Sequence, residues 1–171
     1  MENKLGYYEG KAQIILWELG LVDDDWSFKY DNAKRRAGLC NGRKKIISIS
    51  RHFTKLNTDE EIMNTILHEV AHALAPEREH HGYRWRKVFK ELLIKYKQPV
   101  KVSRCYDHNK VKMPKGKYAL ECIKCDQSWQ RHKKVWWLNK TDDKGHIKNV
   151  FCPRCGKEEG RLKLIINREL E

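Results

Sequence analysis

Apolar residues recur at three- and four-residue intervals in three stretches of this chain and alternate singly in others. The pattern predicts a mixture of helices and strands. Leu5, Tyr8, Ala12, Ile15, Leu16 and Leu19 form the first helical stripe, and Gly20 is placed to end it as a C′ residue. Trp26-Ser27-Phe28-Lys29-Tyr30 alternates apolar and polar, as a half-buried strand does. Asn41-Gly42, between Arg36–Cys40 and Lys44–Ser50, signals a hairpin. Ile62, Ile66, Leu67, Val70 and Leu74 give a second helix from Asp59, with Thr58 as N-cap, Glu61 three residues later, and Pro76 as its stop. Trp85, Val88, Phe89, Leu92, Leu93 and Tyr96 give a third, which Gln98-Pro99 ends. The order helix, strands, helix, helix predicts an α+β domain over residues 1–99, with a smaller domain over 100–171.

The second helix carries candidate chemistry, because it contains His68-Glu69-Val70-Ala71-His72. Residues four apart project from one helical face, so both imidazoles can reach a single metal ion. Glu69 then lies beside the ion, where it can take a proton from water. A catalytic zinc site needs a third protein ligand and one open position. His80 and His81 follow just after the helix, and a histidine at the start of the third helix can fold back onto the His68/His72 face. The competing interpretation is of two ordinary helix-surface histidines and a solvated loop.

Four cysteines organise the second half. Cys122-Ile123-Lys124-Cys125 and Cys152-Pro153-Arg154-Cys155 are CxxC pairs separated by 26 residues. Thiolates two residues apart can grip one tetrahedral zinc, and Gly156 permits the tight turn after the second pair. Four sulfur ligands leave no open position, so this zinc is expected to be structural, standing in for a hydrophobic core in a small β zinc ribbon. Disulfides, and a redox CxxC in a βαβ setting, are the alternatives. Cys40 and Cys105 have no such arrangement and are read as ordinary thiols.

Charge adds a partner. The 171 residues carry a net charge of +13, and residues 100–171 hold 18 Lys/Arg against 9 Asp/Glu, whereas residues 1–99 hold 18 against 14. Such a surplus suits a polyanion. Trp129, Trp136 and Trp137 lie among Lys124, Arg131, His132, Lys133, Lys134 and Lys140. Basic groups neutralise phosphates, and an indole can stack on an unpaired base, so a nucleic acid with single-stranded character is the expected partner. Trp129 is assigned to the ribbon core, and only one of Trp136 and Trp137 can face inward if they lie on a strand. No apolar run reaches the roughly 20 residues needed to span a bilayer, and Met1-Glu2-Asn3-Lys4 opens no signal sequence. A cytoplasmic monomer without membrane association is expected.

Together these residues resemble the SprT-like metallopeptidase family, which includes Spartan. The resemblance lies in His68-Glu69-Val70-Ala71-His72, in His81-Gly82-Tyr83-Arg84-Trp85, in Trp17 and the β-rich segment ending at Ile46–Ser50, and in the cysteine pairs. It implies a zincin-like domain with a zinc ribbon, and His81 rather than His80 as third ligand. It also implies a zinc endopeptidase that cleaves proteins bound or crosslinked to DNA. Two other functions remain open on the residues alone: a general peptidase indifferent to DNA, and a non-catalytic nucleic-acid-binding zinc protein.

Overall fold

The computed structural model describes residues 2–76, 79–103, 110–125, 127–133, 138 and 140–167, which fall into one unit ending at Pro114 and another starting at Lys115. Its elements make the chain α+β, as the apolar pattern predicts.

In the first unit, helix α1 (Glu2–Glu18) buries Tyr8, Ala12, Ile15 and Leu16. It gives way at Gly20, whose φ of +69° favours a residue without Cβ. Strands β1 (Ser27–Asp31), β2 (Gly38–Asn41) and β3 (Ile46–Ser50) form a sheet in the order β1-β3-β2, with β1 parallel and β2 antiparallel to β3. The central β3 is buried from Ile47 through Ser50. Its two serines are partnered there: Ser48 Oγ donates to Asp31 Oδ2 at 2.8 Å, and Ser50 Oγ donates to the Ala33 carbonyl. The Asn41-Gly42 signal does join β2 to β3, through a turn longer than two residues. Asn41 Oδ1 accepts from the Lys44 N–H at 3.0 Å, closing a 3₁₀ turn over Gly42–Lys44.

A short helix absent from the sequence reading, α2 (Arg51–Leu56), starts where Ser50 Oγ caps the Phe53 N–H. Helix α3 (Asp59–Leu74) begins at Thr58, whose hydroxyl accepts from the Glu61 N–H, and α4 spans Tyr83–Lys95. The boundary expected at Pro99 falls later. Val111 is buried in the first unit's core with Met113 packed against it, and Asn57 clasps the Lys112 backbone through its N–H and its carbonyl.

The second unit is an antiparallel sheet of β4 (Tyr118–Cys122), β5 (Ser128–Arg131), β6 (His146–Phe151) and β7 (Arg161–Ile166), in the order β5-β4-β7-β6, with a single-turn α5 at Gly156–Glu159. Its core is small: Leu120, Leu138, Ile147, Cys152 and Leu162, with Trp129 packed against it. Among the described residues, no helix is long and apolar enough to cross a membrane.

Candidate metal centre

Helix α3 presents His68 and His72 one turn apart, and the connection to α4 returns the chain so that His81 meets them. That return turns at His80, with φ of 47°, and closes where the Gly82 N–H donates to the Glu79 carbonyl at 2.7 Å. The Nε2 of His81 stands 3.1 Å from that of His72 and 3.2 Å from that of His68. Nitrogens bound to a tetrahedral zinc at about 2.0–2.1 Å stand about 3.3 Å apart, so this donor set fits the ion. The imidazoles border an open cleft of about 600 Å³, shared with Glu69, Gly38, Leu39, Cys40 and His80.

Burial and mutual repulsion keep two of these imidazoles uncharged. Desolvation first, then the neighbouring imidazoles, lowers His68 to about 3 and His72 to about 4, which leaves their lone pairs available to a metal at neutral pH. Behind them, Trp85 of α4 is wholly buried, with ring centroids 4.8, 5.2 and 4.6 Å from His68, His72 and His81. Phe89, one turn on, packs against His68 at 5.5 Å.

Glu69 is 8 % exposed and turns toward β2. Burial raises its carboxyl to about 7, against the opposing pull of the nearby Cys40 N–H and of the Arg36 charge. His80 borders the cleft outside the imidazole triad. Tyr83 is 80 % exposed and Arg84 is ion-paired with Glu79. The part played by β2 was not visible in the sequence. Cys40 reads there as an ordinary thiol, and no local pattern says that its backbone meets a helix some thirty residues on.

The model of the SprT-like family matches residues 10–105, a span that contains β1 to β3, α2 to α4 and the histidine cluster. The chain belongs to the SprT-like family. Nothing among curated proteins or solved structures matches it. SprT-like proteins are metallopeptidase-like, and the three converging imidazoles of this SprT-like chain form a group that could hold a metal ion, consistent with that membership.

The SprT-like chain's second unit brings its four cysteines together. Cys122, Cys125, Cys152 and Cys155 cluster, with 3.7 Å between Cys125 Sγ and Cys152 Sγ. Sulfurs bound to a tetrahedral zinc at about 2.3 Å stand about 3.8 Å apart, so this group also fits. Desolvation pushes the Cys122 thiol up, but the N–H groups of Cys125 and Lys124 outweigh it and bring the thiol down to about 7. Such N–H donors favour a thiolate ligand. The second knuckle is tied by the Cys152 N–H to the Gly160 carbonyl at 2.7 Å and by the Gly156 N–H to the Cys152 carbonyl at 2.9 Å. Of the basic and aromatic residues expected to meet nucleic acid, Lys124 is ion-paired with Glu159 across the cysteine site. Arg131 and Lys133 are exposed at and beyond the end of β5. Lys134, Trp136 and Trp137 lie outside the described residues, as does Cys105.

Proposed function

We propose that this SprT-like chain is a zinc-dependent endopeptidase that works at DNA, cleaving proteins bound or crosslinked to it. The observation that carries this reading is the convergence of three imidazole nitrogens beside a buried carboxylate in an open cleft. His68, His72 and His81, whose Nε2 atoms converge, would hold the catalytic zinc. Bound there, zinc supplies a Lewis acid that polarises a peptide carbonyl and makes water more acidic. Glu69 takes the water's proton as its oxygen adds to the scissile carbon, then gives that proton to the departing amine. The edge strand β2, three of whose residues border the cleft, can pair with an extended substrate backbone. The four-cysteine site holds a second zinc, closed to substrate by its full set of sulfurs.

The DNA part of the reading rests on the charge surplus of residues 100–171 and on the family resemblance. Arg131 and Lys133 are its described basic contacts, with Lys134, Trp136 and Trp137 as further candidates. Lys124 is the weakest of the set, because Glu159 already offsets its charge.

The test is incubation of a DNA-bound protein with wild type and Glu69→Gln, with and without single-stranded DNA. The expected outcome is cleavage by wild type only, faster with DNA. Cleavage indifferent to DNA points instead to a general peptidase. An intact substrate after long incubation with zinc and DNA points to a non-catalytic nucleic-acid-binding protein.

A further inference from the structure

The glycine at position 38 needs no unusual backbone. Gly20, Gly145 and Gly156 adopt positive φ, and Gly38 is not among them. Its reason lies in clearance. A Cβ built at Gly38 would stand 2.7 Å from both Cγ and Oε1 of Glu69 and 3.0 Å from Cδ, and these are the three atoms nearest to it. Contacts that short do not occur between real side chains, so any other residue there must displace either Glu69 or the strand. Two positions further along β2, the Cys40 N–H lies near enough to the Glu69 carboxylate to favour its charged form. One strand thus offers Glu69 a bare surface and a backbone dipole, and the second depends on the first.

We propose that Gly38 is a positioning residue for Glu69. Lacking a side chain, it lets β2 lie against α3 closely enough to hold the Glu69 side chain in place beside the three imidazoles. This rests on the reading of Glu69 as general base. Adding a methyl group at position 38 requires a shift of somewhat under 1 Å to restore an ordinary contact of about 3.5 Å. Glu69 is enclosed, so the shift moves its carboxylate within the cleft or pushes the strand away from it. A catalytic group displaced on that scale can lose about a hundredfold in rate. The metal donors do not share this fate, because His68, His72 and His81 converge through the α3–α4 connection rather than through β2.

The experiment compares wild type, Gly38→Ala, Glu69→Gln, Glu69→Ala and the double variant Gly38→Ala/Glu69→Ala. Gly10→Ala serves as a control, since a Cβ there has nothing within 4 Å. Initial rates on a DNA-bound protein give kcat and KM, metal analysis gives zinc content, and thermal unfolding gives the midpoint. Gly38→Ala should lower kcat about a hundredfold with KM within about twofold and zinc content unchanged. It should also lower the midpoint in wild type but not in Glu69→Ala, where the obstructing carboxylate is gone. Gly10→Ala should leave kcat where it was.

A Gly38→Ala variant with wild-type kcat, beside an inactive Glu69→Gln, overturns the role of Gly38 alone. An equal loss of midpoint in both backgrounds also overturns it, reducing Gly38 to strand packing. A wild type that never cleaves, or a Glu69→Gln as fast as wild type, overturns the reading of Glu69 itself and the positioning role with it.

Discussion

The indole of Trp85 lies stacked on the imidazole of His72, 5.2 Å between centroids and 30° between planes. The same indole also meets His68 and His81, so one side chain of α4 forms the back wall of all three metal donors. Its Nε1 is buried and has no hydrogen-bond partner among the described residues. The site therefore takes shape and apolar surface from Trp85, and no polar contact.

A conservative and a severe substitution at that position should separate cleanly. Trp85→Phe keeps an aromatic wall and removes a buried donor that has no partner among the described residues, so we expect it to fold, retain metal at the histidine site and lose no more than about 2 kcal/mol. Trp85→Ala opens a cavity behind the donors and should lose about 3–5 kcal/mol, with weaker metal retention at His68, His72 and His81. Denaturant unfolding with metal analysis tests this. Equal damage from both variants would mean that the indole N–H matters after all.

The acidity of Glu69 should be visible in stability. Burial raises its carboxyl from the ordinary 4.5 to about 7 in the metal-free protein. A carboxyl that holds its proton more tightly when folded stabilises the fold fully below about 4.5, and that contribution is lost as pH rises toward 7. Glu69→Gln has no such proton to lose. With metal removed from both proteins, their unfolding free energies should agree in acid and separate as pH rises. Above pH 7 the glutamine variant should be the more stable, by up to about 3 kcal/mol. A separation that narrows with rising pH would contradict the burial argument.

What could be read from the residues was local or periodic. His68 and His72 are legible because four-residue spacing puts them on one face. Trp85 and Phe89 fall on the apolar stripe of α4, and each CxxC pair states its own geometry. The rest depends on contacts between distant segments. Nothing in Ser27–Asp31 announces a parallel pairing with Ile46–Ser50, and six residues are too few for α2 to show a helical period. Lys124 read as a phosphate contact, since its partner Glu159 lies thirty-five residues away. The meeting of Gly38 with Glu69 is of the same kind. It belongs to the packing of β2 on α3, and neither segment's pattern encodes it.

The cysteine cluster predicts a second behaviour under metal removal. Four sulfurs converge in a unit whose described hydrophobic core is small, so an ion held there would supply much of its stability. Zinc analysis should find about two ions per chain. Cys122→Ser should lower this to about one and unfold the sheet of β4 to β7, while the histidine site keeps its ion. Metal content with amide exchange resolved between Lys115–Asn167 and the rest of the chain would measure both. A Cys122→Ser protein that still held two zinc ions would remove Cys122 from the ligand set.

The placement of Val111 and Met113 in the first unit turns on one side chain. Asn57 is 6 % exposed, and its Nδ2 donates to the Phe53 carbonyl at 2.8 Å and the Lys112 carbonyl at 2.7 Å, while its Oδ1 accepts from the Lys112 N–H at 2.6 Å. One amide thus satisfies the end of α2 and both backbone groups of a residue 55 positions away. Asn57→Ala removes the side-chain partners of the Lys112 N–H and carbonyl at a nearly closed site, while the Phe53 carbonyl keeps its bond from the backbone N–H of residue 57, and the loss costs about 2–3 kcal/mol. With the clasp gone, Val111 loses its hold on the core, and the segment around it opens more often. We expect Asn57→Ala to unfold at lower denaturant and to be cut by trypsin at Lys110 or Lys112 well before the rest of the first unit. Wild type should resist cleavage at those bonds. Asn57→Asp is the sharper comparison, because it keeps the acceptor for the Lys112 N–H but turns a second oxygen toward two carbonyls. It should be no better than alanine if the two donated bonds carry the clasp, and near wild type if the accepted bond does.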